Sequence, residues 1–132
     1  MPKTADPEKV KKNNGARILI VDDEEGARRS LALILGRYGY TVETAQSGQE
    51  ALAIAAETSL NLAFVDIQLT DMDGTDLIKP LLESNPGLVV IMVSGHAAAD
   101  TAAQSLDLGA ARYITKPIDM VRLLAEMENT LE

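Results

Sequence analysis

The chain alternates between short apolar runs and longer stretches in which apolar residues recur every three or four positions. The clearest run is Leu62–Asp66, LAFVD: four apolar residues without a polar interruption, ending on a carboxylate and bounded by Ser59, Asn61 and the Asp71-Met72-Asp73-Gly74 cluster. A run of that length between turn residues predicts a strand buried on both faces. Three more runs have the same form. Ile18–Val21 leads into Asp22-Asp23, Leu88–Val93 into Ser94-Gly95, and a strand over Arg112–Thr115, with Tyr113-Ile114-Thr115 as its end, into Lys116-Pro117. Thr41–Ala45 predicts a fifth, short β-branched strand.

The segments between them carry helical spacing. Ala27, Leu31, Ile34, Leu35 and Tyr38 define a first helix over Glu25–Tyr38, with Gly39 as its left-handed stop. Ser47-Gly48-Gln49-Glu50 reads as a capping box opening an alanine-rich second helix that ends near Glu57. A third starts at Gly74 or Thr75 and runs through Glu83; Pro80 inside it removes an internal hydrogen bond and is expected to kink or tighten it. After the turn Ser84-Asn85-Pro86-Gly87, residues 97–108 predict an alanine-rich fourth helix stopped by Gly109. Asp119 is the expected cap of a last helix with an apolar stripe of Val121, Leu124, Met127 and Leu131. Five strands alternating with five helices predict an α/β fold, a parallel sheet covered on both faces.

Composition narrows the chemistry. At 132 residues and 46% hydrophobic content the chain has room for one domain with one layered core. It has no cysteine and a single histidine, His96, which excludes disulfides, thiolate metal sites and histidine-rich zinc sites. The amino terminus shows no apolar stretch of signal-peptide or membrane-span length, so a soluble cytoplasmic protein is expected. The net charge of −8 is unevenly spread: residues 1–17 hold five bases and two acids, which leaves eleven net negative charges on the rest. A body so acidic is a poor nucleic-acid ligand. Residues 1–15, with Pro2, Pro7, four lysines and Asn13-Asn14-Gly15, read as a solvated, disordered basic leader, and residues 16–132 as the folded domain.

In open α/β sheets, ligands bind in the crevice outside the carboxyl ends of the strands. Here four strands end on polar groups: Asp22-Asp23, Asp66, Ser94 and Lys116. If the first and third strands are neighbours, three carboxylates converge. Unit charges about 4 Å apart at an effective dielectric near 20 interact by roughly 4 kcal/mol, so such a group needs cations. Lys116 can supply one charge and a divalent metal two. All-oxygen ligands suit Mg²⁺. Singly, Asp22 or Asp23 could cap the first helix and Lys116 could be a solvated strand-end charge; the four together point to a site.

These residues, in this order and spacing, resemble the receiver domain of two-component response regulators. The resemblance runs from about Arg17 to Met127. It rests on Asp22-Asp23, on Asp66 followed by Met72-Asp73-Gly74, on Ser94-Gly95, and on Leu108-Gly109-Ala110 leading to Tyr113-Ile114-Thr115-Lys116-Pro117. It implies a three-layer flavodoxin-like (βα)5 fold with strand order 2-1-3-4-5. It also implies a phosphorylation switch rather than a turnover enzyme. Asp66 would take a phosphoryl group from a sensor histidine kinase or a histidine phosphotransfer protein. Asp23, Asp66 and the Gln68 carbonyl would hold Mg²⁺, Asp22 acting partly through water. Lys116 and Ser94, with Gly95 beside it, would contact the phosphoryl group, and Tyr113 would turn inward to reshape the face of helix four, strand five and helix five. That face would serve an output domain, a docking partner or a homodimer; neither direct nucleic-acid contact nor a membrane is expected. Lys116-Pro117 is expected to be cis, as is common in receivers.

Thr70 stands where receivers usually have proline, Asn61 where they usually have aspartate, and Pro80 is foreign to the third helix. None removes a chemical group from the site. His96, two residues after Ser94, reads as a surface loop histidine. A haloacid-dehalogenase-like phosphatase would need an acid at Gln68, two residues after the nucleophile. Flavin binding on the same fold would place a cofactor phosphate against the acidic first loop. A degenerate receiver, used only as an interaction module, would not need the intact acid, hydroxyl and lysine set.

Overall fold

The computed structural model describes residues 15–95 and 99–131. His96 and most of the expected basic leader therefore lie outside the described residues. The strands are β1 (Arg17–Val21), β2 (Thr41–Ala45), β3 (Leu62–Asp66), β4 (Val89–Ser94) and β5 (Arg112–Thr115). The helices are α1 (Glu25–Arg37), α2 (Gly48–Glu57), α3 (Thr75–Ser84), α4 (Ala99–Leu108) and α5 (Met120–Leu131). All strand pairs are parallel, in the order β2-β1-β3-β4-β5. This is the three-layer flavodoxin-like arrangement expected from the sequence.

Side-chain alternation along the three central strands builds two cores. Leu19, Val21, Ala63, Val65, Val90 and Met92 face one side, where Ala51 and Ala55 of α2 and Leu77, Ile78 and Leu81 of α3 close over them. Ile18, Ile20, Leu62, Phe64, Ile91 and Val93 face the other, against Leu31 and Leu35 of α1 and Leu123 and Met127 of α5. Covering both faces is why β1, β3 and β4 read as continuous apolar runs, whereas the edge strands β2 and β5 are only half buried. Buried apolar surface of this kind stabilises by roughly 25 cal/mol per Å².

The helix ends follow the local chemistry. Gly39 and Gly109 take positive φ, at 92° and 118°. Each closes its helix with paired bonds from the glycine and the next residue: Gly39 N–H to Gly36 and Tyr40 N–H to Leu35, Gly109 N–H to Leu106 and Ala110 N–H to Ser105. Asp119 Oδ1 accepts from the Arg122 N–H, as a cap should. At α2, Ser47 Oγ accepts from the Glu50 N–H, but the Glu50 carboxylate accepts from Gln46 N–H, one residue earlier than in a standard capping box. α3 continues past Pro80 to Ser84.

Two expectations shift. β4 begins at Val89 and includes Ser94, so this hydroxyl sits on the last rung of the ladder, opposite Thr115. The apolar stripe of α5 keeps Leu124, Met127 and Leu131 but exchanges one member: Val121 is 81% exposed, while Leu123 and Met127 are buried and Leu124 and Leu131 half buried. The buried set at 123, 124, 127 and 131 keeps the three- and four-residue spacing, and Val121 lies two positions, more than half a turn, from Leu123.

Candidate functional site

Parallel pairing of β1 with β3 and of β3 with β4 aligns the carboxyl ends of three strands on one edge of the sheet. Val21 pairs with Val65, so Asp22 and Asp66 follow each other across the β1–β3 boundary. Carboxylate oxygens of Asp22, Asp23 and Asp66 lie within 4.8 Å of one another. Asp23 is exposed, whereas the Asp22 and Asp66 side chains keep only 10% and 13% of their surface.

Lys116, the residue after β5, closes the group. Its Nζ is 3.2 Å from Asp22 Oδ2 and 3.2 Å from Asp66 Oδ2, so one ammonium is shared between two carboxylates 44 residues apart. The Lys116 N–H donates to the Ser94 carbonyl at 2.8 Å, and the Lys116-Pro117 peptide is cis. Ser94, the last residue of β4, is buried beside this pair, and Gly95, just after the strand, is exposed. Asp22, Asp23, Glu24, Asp66, Gln68, Gly95 and Lys116 line one cleft. Tyr113, three residues before Lys116, is half buried against the core on the α2 and α3 side.

The other oxygen of each buried carboxylate accepts from backbone. Asp22 Oδ1 accepts from Glu24 N–H at 2.9 Å, and Asp66 Oδ1 from Gln68 N–H at 3.0 Å. Burial pushes the Asp66 pKa above its usual 3.8; the Gln68 N–H opposes this, Asp22 adds to it, and Lys116 opposes it again, without cancelling the rise. Burial alone would lower the Lys116 pKa, but its bonds and charge interactions with Asp22 and Asp66 outweigh burial and raise it. The site holds its lysine charged and disfavours the charge on Asp66.

Glycine shapes the loop after Asp66. A Cβ on Gly74 would run into the Asp66 carbonyl, and its N–H donates to the Ile67 carbonyl at 2.6 Å. Gln68 and Asp73 form an antiparallel bridge below this contact. The loop is thus closed at its base, directly under the carboxylate.

Two contributors were absent from the sequence reading. Arg28 of α1 donates from Nη1 to the Asp22 carbonyl at 2.8 Å, bringing a second cation to the end of β1. Its position one turn after Glu24 was the available signal, since the Arg28 N–H bonds the Glu24 carbonyl in the first helical turn. Asp71 binds the start of α2, a contact across more than twenty residues for which no local pattern exists.

The donor set suits a hard divalent cation: three carboxylates with converging oxygens, one of them exposed, and no sulfur or imidazole among the site residues. Three negative charges facing one lysine leave an imbalance that such a cation corrects.

A family model described as the response regulator receiver domain matches residues 18–128. The chain is 32% identical over 117 residues to the transcriptional regulatory protein GlrR of Escherichia coli K12, covering 89% of this chain and 26% of that protein. It therefore spans about a quarter of the length of this relative. A CheY-like response regulator receiver domain protein from Methanospirillum hungatei superposes with TM-score 0.84 at 40% identity, over 88% of this chain and 93% of the other. A Burkholderia pseudomallei response regulator, solved with a phosphorylated aspartic acid, a calcium ion and citrate, gives TM-score 0.81 at 32% identity, over 89% and 66%.

Proposed function

The chain belongs to the response regulator receiver domain family, and on that premise we propose that it is a Mg²⁺-dependent phosphoacceptor switch in which Asp66 is the phosphorylated residue. The observation that carries this is the shared ammonium: Lys116 stands 3.2 Å from both Asp22 and Asp66, with the exposed Asp23 carboxylate beside them. A receiver is not a turnover enzyme; the acceptor chemistry is done once per signal by the domain itself.

An Asp66 carboxylate oxygen attacks the phosphorus of a phosphohistidine on a sensor kinase or phosphotransfer protein. The O–P bond forms as the P–N bond breaks, and the departing imidazole nitrogen takes a proton from solvent. Asp23, Asp66 and the Gln68 carbonyl would hold Mg²⁺, with Asp22 acting partly through water, and the ion would supply two positive charges. Lys116 moves from pairing with the Asp66 carboxylate to pairing with a phosphoryl oxygen, and Ser94 donates its hydroxyl to another. Two remaining acids and a doubly charged phosphoryl group then face three positive charges, so the cations that draw in the donor also hold the product. An apolar cleft walled by Leu31 and Ile34 of α1 and by Pro117 and Ile118 runs up to Asp66 and gives a donor protein its approach.

Output passes through Ser94 to Tyr113, whose ring turns inward and reshapes the face formed by α4, β5 and α5 for an output domain, a docking partner or a second copy. No helix among the described residues is long and apolar enough to cross a membrane, and we place the protein in the cytoplasm.

Incubation with Mg²⁺ and acetyl phosphate tests the reading. One phosphoryl mass, labile at alkaline pH, is expected on the parent and none on Asp66→Asn. An Asp66→Asn protein that still gains the mass defeats the assignment, and a parent that never gains it marks an interaction module without phosphoacceptor function.

A further inference from the structure

The loop between β3 and α3 grips two things at once. Its base holds the acceptor: Gln68 N–H bonds Asp66 Oδ1, Gln68 bridges Asp73, and Gly74 passes so near the Asp66 carbonyl that a Cβ there would run into it. Its tip holds the start of α2. Asp71 Oδ1 accepts from the Gly48 N–H at 2.8 Å and Asp71 Oδ2 from the Gln49 N–H at 2.9 Å, so both carboxylate oxygens are engaged by free amides of the first helical turn. Met72 packs against the same place so closely that a Cβ on Gly48 would lie 2.5 Å from its sulfur. The two amide bonds hold the Asp71 pKa below its usual value, the response of a carboxylate whose charged form is bound.

We propose that Asp71 is a positioning residue for the acidic site: by clamping the loop to the amino end of α2 it sets the placement of Gln68 and Asp66, and it couples that end of α2 to occupancy of the site. The inference rests on the phosphoacceptor reading for what occupies the site, and on the loop contacts alone for the coupling. The loop has few residues between its two grips, and its base is closed by backbone hydrogen bonds, so a shift at Asp66 or Gln68 is carried to Asp71. The amides of Gly48 and Gln49 move with it. This makes the start of α2 a second place where the state of the site is felt, away from the α4, β5 and α5 face.

The test is an amide-resolved titration of the full chain with Mg²⁺, then with beryllofluoride, in the parent, Asp71→Asn and Asp71→Ala. Changes at groups that support metal ligands typically weaken metal binding by about 10–100-fold; Asp71 is one layer further out, and about a threefold to tenfold loss of Mg²⁺ affinity is expected in Asp71→Ala. Asp71→Asn keeps one acceptor oxygen and should recover part of it. In the parent the Gly48 and Gln49 amide signals should shift with the cation, and in Asp71→Ala that response should vanish while the signals around Asp23 still respond. A merely structural role would lower thermal stability without separating these two responses. Parental Mg²⁺ affinity in Asp71→Ala, or Gly48 and Gln49 signals that ignore a cation to which Asp23 of the parent responds, overturns the proposal. If the parent shows no Mg²⁺ response at Asp22, Asp23 or Asp66, the phosphoacceptor reading fails, and hydrogen exchange decides the clamp separately. Faster exchange of the Gln68 amide in Asp71→Ala supports it, and unchanged exchange overturns it.

Discussion

The two ends of the sheet treat polar groups in opposite ways. At the amino ends of the strands the charges are paired, Arg17 with Glu43 and Arg112 with Glu126, and two neutral amides spend their bonding on backbone. Asn61 Oδ1 accepts from the Arg17 N–H at 2.8 Å, and the buried Asn85 accepts from Leu60 N–H through Oδ1 and donates through Nδ2 to the Ala55 carbonyl. At the carboxyl ends three acids converge on one shared lysine, with Asp66 pushed toward its protonated form. One end is satisfied without any partner from outside; the other is left short of positive charge. Groups of that second kind are tolerated because a ligand completes them, and stability has to be supplied elsewhere in the molecule.

Substitutions should separate the two ends. The largest effect is expected at Asp23→Ala, which takes away the exposed carboxylate of the proposed Mg²⁺ site. Labelling by acetyl phosphate should fall by at least about 100-fold, since losing a direct ligand should exceed the 10–100-fold typical of supporting groups, while thermal stability stays within about 0.5 kcal/mol or improves as repulsion is relieved. Unchanged Mg²⁺ affinity in that variant would place the metal elsewhere.

Next comes Asn85→Ala, which strands the Leu60 N–H and the Ala55 carbonyl in the interior. A loss of about 2–3 kcal/mol in urea unfolding is expected, with the labelling rate per folded molecule unchanged. A variant that folds as the parent does, or that labels poorly while folded, would blur the division between the two ends.

The smallest effect joins them through pH. The folded chain holds the Asp66 proton more tightly than the unfolded chain does, because burial and Asp22 raise its pKa above 3.8. The stability that protonation confers is complete below about pH 3.8 and is lost as pH rises through the higher folded value. Asp66→Asn is neutral at every pH, so it should be more stable than the parent near pH 7. That advantage should close as the pH approaches 3.8. Thermal melts of both proteins across pH 3.5–7.5 check the sign; an advantage that grows toward acid would mean that Lys116 outweighs burial at Asp66.

Much of this architecture was legible along the chain. LAFVD and its sister runs announce strands covered on both faces, and Gly39, Gly109, Ser47 and Asp119 mark helix ends where they occur, because these signals pass between residues a few positions apart. The order of Asp22-Asp23, Asp66, Ser94 and Lys116 identified the family. The exposure of Val121 is not legible, since Val121 stands three residues before Leu124 as Leu123 stands four before Met127, and only the sheet beneath chooses between them. The sharing of Lys116 between Asp22 and Asp66 joins residues 94 and 50 positions apart, and the Asp71 clamp joins residues 22 and 23 apart. Such contacts depend on which strands become neighbours and on how far each loop can reach. Hydrophobic period and turn chemistry carry no record of either, so the strength of the charge imbalance at the site became visible once the strands were side by side.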